Sequence, residues 1–205
     1  MNEVTPFLEK DASVLMASGT RFDETVDDTT SLCSYPIVWG WATNHEKWHV
    51  MRKLIFETSG TYGNNIRLSE RFYWNTGKRR ALKSQIDAWD VPLAAGMRKS
   101  EYFCLVPPFN LVTNIGFDFM ATHTTEAIWP LGLHRHSNIF APIVISNSHQ
   151  KREANDLLMR KEIFRISTRH IFTSLVSLVW DPIRFRNRRK YSSMLARVQC
   201  IDEQS

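Results

Sequence analysis

Cysteine is scarce in this chain: Cys33, Cys104 and Cys200 are three residues in 205, widely spaced and odd in number. That excludes a disulfide scaffold and a CxxC zinc site, and it fits a reducing compartment. Long apolar runs are missing too, so no transmembrane helix is expected. The opening residues Met1 to Pro6 carry no basic region and no apolar stretch behind them, so no secretory leader is expected. Internal repeats and low-complexity tracts are absent. So are GxxxxGK[ST], GxGxxG behind a strand, HExxH and GxSxG. Their absence removes P-loop NTPases, simple dehydrogenases, common zinc proteases and α/β-hydrolases.

What remains is globular in composition, with 43% hydrophobic and 23% charged residues, and the length suits one domain or part of a larger protein. Seven Trp and twelve Phe provide for a core and for rings that line a pocket. The net charge of +5 is unevenly spread. Residues 1–150 hold 14 Lys and Arg against 15 Asp and Glu, whereas residues 151–205 hold 12 against 6. The body is neutral, and any inference from charge to partner concerns the last quarter.

Apolar spacing predicts a helix over Thr5–Lys10 and a strand over Ser13–Ser18, ended by Gly19. Residues 20–34 are polar and acidic and read as a loop, in which Asp27 and Asp28 form a solvated acidic stretch rather than a metal pair. Asn44 is a good N-cap for a helix over His45–Lys53. Arg67–Ser84 reads as a helix broken or bent at Gly77, with Phe72, Tyr73 and Trp74 as a buried aromatic knot. Ile86–Ala95 reads as another helix, with Pro92 near its first turn, where the missing amide costs little. Tyr102–Val106 has strand composition and stops at Pro107-Pro108. Asn110–Gly116 reads as a loop or short strand, and Ile139–Ser146 as a last extended segment. Lys151–Ile166 and Ser167–Trp180 read as two helical pieces. Few strands separated by helices indicate an α/β class, with 1–146 as the body and 147–205 as a basic helical tail.

Three segments can carry chemistry. In Trp39-Gly40-Trp41 the glycine permits a tight bend, so that both indoles can face one cleft and stack on a sugar or base; the alternative is a core aromatic cluster. Asp87 and Asp90, three apart near a helix start, lie on neighbouring faces, and an Asp beside Trp89 can act as general base on a hydroxyl; the alternative is N-terminal capping. Asn110 and Asn114 suggest a loop held by side-chain amides, followed by His123 between hydroxyl residues. His123 is a candidate metal or phosphate ligand, although lone histidines are more often structural.

Taken together, Tyr35–Trp48 (YPIVWGWATNHEKW), Phe72-Tyr73-Trp74, Ile86–Asp90 (IDAWD) and Pro108–Thr124 (PFNLVTNIGFDFMATHT) resemble the second half of bacterial GT-A-type glycosyltransferases, the family-2-like or nucleotide-diphospho-sugar transferases. In those proteins a WGWAT-type segment, a WD helix and an NLVxNIGFxxxATHT segment occur in this order. The likeness covers about residues 5–140, and its last motif is the most specific. At the positions after the GF pair, where the family has small or acidic residues, this chain has Asp118-Phe119-Met120.

The resemblance implies a partial GT-A-like mixed sheet with flanking helices, a nucleotide-sugar donor, a glycan or lipid-linked hydroxyl acceptor, and a divalent metal, Mn2+ or Mg2+. It implies Asp90 as the general base, with Asp87 positioning the acceptor. Trp39, Gly40 and Trp41 would form the sugar-facing wall, Asn110 and Asn114 would brace the loop, and His123 would be the metal or diphosphate ligand. Phe7–Ser18 matches the helix and strand that follow the family's DxD motif. The chain therefore reads as an acceptor-side half, truncated or complemented by an N-terminal half on another polypeptide, with little transfer activity expected alone. The rival reading is a non-catalytic domain, a degenerate transferase fragment that binds glycan or membrane without chemistry.

In the tail, the apolar run Ile171–Trp180 adjoins Arg184, Arg186, Arg188, Arg189 and Lys190. That pattern suits an interfacial helix on an anionic membrane surface, which implies a cytoplasmic protein peripheral to the inner membrane face. The alternatives are a helix that covers the sheet with a solvated basic end and, ranked last, nucleic-acid binding.

Overall fold

The computed structural model describes residues 5–22, 29–56, 66–82, 88–113, 145–146 and 149–169, with 171, 172 and 176. They divide into two compact units, one of residues 1–53 with 100–165 and one of residues 54–99 with 166–205. The class is α/β, a small mixed sheet with helices around it.

The first unit holds the sheet. Helix α1 (Thr5–Lys10) leads into strand β1 (Val14–Ala17) through a turn that Asp11 closes, its Oδ1 accepting from the Ser13 amide at 2.8 Å and the Ser13 hydroxyl at 2.7 Å. Strand β1 is buried along its whole length, as expected of an unbroken apolar strand inside a sheet. It pairs in parallel with β3 (Phe103–Val106), Val14 opposite Phe103 and Ala17 opposite Leu105, with an irregularity between Val14 and Met16. On the far side of β3 lies β2 (Thr30–Cys33), antiparallel, with Leu32 opposite Leu105 and Cys33 opposite Cys104. A short β4 (Ile145–Ser146) adds to β2 in parallel, giving the order β1-β3-β2-β4. Leu8, Val14, Ala17 and Leu105 close together around the sheet, each buried side chain of Leu or Val contributing about 1.5–3 kcal/mol.

Strand β2 corrects the expectation of a loop over 20–34. Its sequence, Thr-Ser-Leu-Cys, has little strand signal, and its polar groups are instead satisfied by helix α5 (His149–Leu158), which packs on it. Buried Asn155 donates from Nδ2 to the Ser31 hydroxyl and to the Leu32 carbonyl, both at 2.9 Å. Asp156 accepts from the Ser34 amide and the Ser34 hydroxyl, both at 2.7 Å. Lys151 Nζ donates to Thr29 Oγ1 at 2.8 Å. The helical stretch expected to run to Ile166 ends earlier, in a π-helical turn over Met159–Ile163.

Helix α2 (His45–Phe56) begins where its cap predicts: Asn44 Oδ1 accepts from the Lys47 amide at 2.9 Å. Lys47 then reaches back to the Asp11 and Ala12 carbonyls at 2.9 and 3.0 Å.

The second unit contains α3 (Leu68–Leu82), α4 (Asp90–Ser100) and the last turn of α2. Helix α3 continues as one helix through Gly77, where a break or bend was expected. A Cβ there would come within 2.8 Å of Val91 Cγ1, so the glycine serves close helix approach. Gly96 does the same for α4, since a Cβ would lie 2.7 Å from Leu54 Cβ and 2.9 Å from the Leu54 carbonyl oxygen. That same carbonyl accepts from buried Lys78 Nζ at 2.9 Å. Trp74 is fully buried, and Glu70, 1% exposed, accepts from Arg98 Nε at 2.8 Å. Helix α4 starts four residues later than the expected Ile86, because Ala88 and Trp89 are not helical and the chain turns in only at Asp90.

Candidate functional site

The site expected from the sequence is built on the turn at Trp39-Gly40-Trp41. Gly40 has φ +59°, a conformation open to glycine and strained for other residues. Its carbonyl accepts from the Gly19 amide at 2.8 Å, and the Gly19 carbonyl accepts from the Leu111 amide at 2.8 Å. The turn is thereby stitched to the end of β1 and to the segment after Pro107-Pro108. Two reciprocal bonds between Ala17 and Ala42, at 2.9 and 2.8 Å, extend the stitching, and Thr43 Oγ1 donates to the Leu15 carbonyl at 2.6 Å. The Thr20 hydroxyl donates to the Trp39 carbonyl at 3.0 Å. No room for a side chain is left at Gly40: a Cβ would overlap Val112 Cγ1.

Both indoles are half-buried and engage different neighbours. Trp39 meets Phe22 edge to face, with centroids 5.5 Å apart at 65°, and Trp41 meets Trp48 at 6.0 Å and 34°. A separate cavity of about 10 Å³, lined by Arg21, Phe22, Ile37, Val106, Asn155 and Met159, has room for roughly one water.

Asn110 does what a loop-bracing amide should. It is buried, its Oδ1 accepts from the Arg21 amide at 3.3 Å, and its Nδ2 donates to the Val112 carbonyl at 2.6 Å. Arg21, also buried, donates from Nη1 to the Pro107 carbonyl at 3.3 Å.

Trp39, Gly40, Trp41 and Asn110 thus share the first unit. Asp90 belongs to the second, half-buried as the first residue of α4. It stands near Tyr73, whose phenol pKa is raised first by burial and then by the Asp90 charge. Tyr73 packs edge to face on Trp74 at 4.8 Å. Asp87, Asn114 and His123 lie outside the described residues.

Comparison with protein-family models, curated proteins and solved structures finds no match for this chain. Among the described residues no three His, Cys, Asp or Glu side chains converge to hold a metal ion. No helix among them is long and apolar enough to cross a membrane. The basic cluster from Arg184 to Lys190 lies outside them.

Three features of the described residues had no place in the sequence reading. Cys33 and Cys104 are opposite one another in the β2–β3 pair, both buried as free thiols. Burial is the main cause that raises both pKa values, that of Cys104 to about 12. Nothing in the sequence pairs them, because they are 71 positions apart and only the register aligns them. The clamp of Asn155 and Asp156 on β2 left no sequence signal either. The third feature, His45 and His49 on α2, was legible as an i, i+4 spacing on an expected helix.

Proposed function

We propose that this chain is the acceptor-side portion of a GT-A-like glycosyltransferase, which transfers a sugar from a nucleotide-sugar donor to a hydroxyl acceptor. The observation that supports this most is the packing of Gly40 against Val112. These residues belong to the two segments richest in the family-like pattern, WGWAT and PFNLVTNIGF, which are far apart in the chain, and Gly40 and Val112 bring their described parts together. In this reading the outer faces of Trp39 and Trp41 stack on the C–H face of a sugar, which suits their half-buried setting. Asn110 holds the loop behind them.

Asp90 is the general base. Its carboxylate takes the proton of the acceptor hydroxyl as that oxygen attacks the anomeric carbon and the nucleoside diphosphate departs. Asp87 positions the acceptor, with Asn114 and His123 completing the loop and the diphosphate side. The basic tail would hold the protein at an anionic cytoplasmic membrane surface, close to lipid-linked or envelope glycan acceptors. Nucleic acid has no part in this reading.

Calorimetry of the full chain against a panel of nucleotide sugars, with and without Mn2+, tests it. Binding to at least one donor that strengthens with Mn2+ is the expected result. Trp39→Ala should weaken that binding by roughly three- to tenfold, the worth of one aromatic stacking contact. No binding to any donor in either condition would reject the transferase reading and favour a non-catalytic glycan- or membrane-binding domain.

A further inference from the structure

On the exposed face of α2, His45 and His49 point their Nε2 atoms at each other, 3.0 Å apart. The two rings stand edge to face at 85°, with centroids 4.5 Å apart. At 3.0 Å the pair can share one hydrogen, one Nε2 donating and the other accepting according to the two tautomers. It is also the bite of a chelate. With metal–nitrogen bonds of about 2.0–2.1 Å, nitrogens this far apart subtend roughly 94° at a shared ion. That is close to the angle of about 90° between neighbouring ligands in tetragonal or octahedral geometry, and well short of the tetrahedral value of about 109°.

We propose that His45 and His49 form a two-nitrogen site for a divalent transition-metal ion of tetragonal or octahedral preference, Cu2+ or Ni2+ rather than Zn2+. The helix supplies the preorganisation. Residues at i and i+4 share a face, and the Asn44 cap fixes the turn that carries His45. Lys47, between the two histidines in sequence, has its ammonium drawn away to the Asp11 and Ala12 carbonyls. On binding, the hydrogen shared between the Nε2 atoms moves through solvent to Nδ1 of its own ring, so both Nε2 lone pairs reach the metal and no net proton is released. Two protein ligands leave the remaining positions to water or to an exogenous ligand. The site is separate from the transferase reading and stands or falls independently of it.

The full chain is titrated with Ni2+ by calorimetry and with Cu2+ by electron paramagnetic resonance, alongside His45→Gln, His49→Gln and, as a control on another helix, His149→Gln. All three positions are exposed, and circular dichroism confirms that each variant is folded. The expected result is that His45→Gln and His49→Gln each weaken one and the same Ni2+ equivalent by about tenfold or more, the scale on which a metal site responds to losing a partner. The Cu2+ spectrum loses nitrogen couplings in both, and His149→Gln binds as the parent does. Parent-like Ni2+ binding by both variants would overturn the proposal. So would a loss confined to one of them, since a chelate needs both nitrogens.

Discussion

Val112 occupies the space where Gly40 would carry a side chain. The contact joins a turn whose backbone only glycine adopts freely to a loop held in place by Asn110. Gly40→Ala therefore meets two costs, a left-handed φ and a clash with Val112. A loss of about 1–3 kcal/mol in urea unfolding is expected. Adding Val112→Ala should recover the steric part and leave the backbone part, which a double-mutant cycle separates.

In the second unit, Glu70 and Arg98 form an ion pair in which the carboxylate is 1% exposed. Glu70→Ala removes that partner from a guanidinium that is itself 13% exposed and should cost about 1–3 kcal/mol by chemical denaturation. Replacing both residues, with Glu70→Leu and Arg98→Met, should cost clearly less. If the double variant is as unstable as the single one, loss of that partner is not the cause.

The clamp between α5 and β2 rests on Asp156, whose carboxylate accepts both the amide and the hydroxyl of Ser34. Asp156→Ala should destabilise the protein by about 1–3 kcal/mol, the cost of leaving part-buried donors unsatisfied. Hydrogen exchange should quicken at the Ser34 amide more than at the β1–β3 amides, because only the clamp is lost.

Cys33 and Cys104 give a pH signature. Burial raises both thiol pKa values in the folded protein, that of Cys104 from 9.0 to about 12, so above pH 9 the folded state retains protons that the unfolded state has released. Stability contributed by the neutral thiols is complete below pH 9 and is lost as pH rises, for Cys104 at up to about 1.4 kcal/mol per pH unit. Tyr73 acts in the same direction. Urea midpoints measured at pH 8, 9 and 10 should fall above pH 9, and Cys104→Val should flatten the fall. An unchanged slope in that variant would show that the buried thiol is not its source.

Local chemistry was enough to read the elements whose causes are local. Asn44 marked the start of α2 because a cap works within one turn, and Val14–Ala17 and Phe103–Val106 announced themselves as apolar runs between turn residues. The tight bend at Gly40 was likewise legible in a glycine between two bulky rings, and the fold gives it a left-handed φ of +59°. Of the candidate site, Asn110's bracing role was readable from its loop composition.

What only the tertiary structure decided was whatever depends on a distant partner. Thr30–Cys33 is a strand because Asn155 and the β3 edge satisfy it, although its own residues favour a loop. Gly77 lies in an unbroken helix because Val91 needs the space, and Cys33 faces Cys104 through strand register alone. Side-chain periodicity acts over a few residues, whereas hydrogen-bond satisfaction and close packing act across the fold. For that reason caps and apolar runs could be assigned from the chain alone, and the polar strand and the glycine contacts could not.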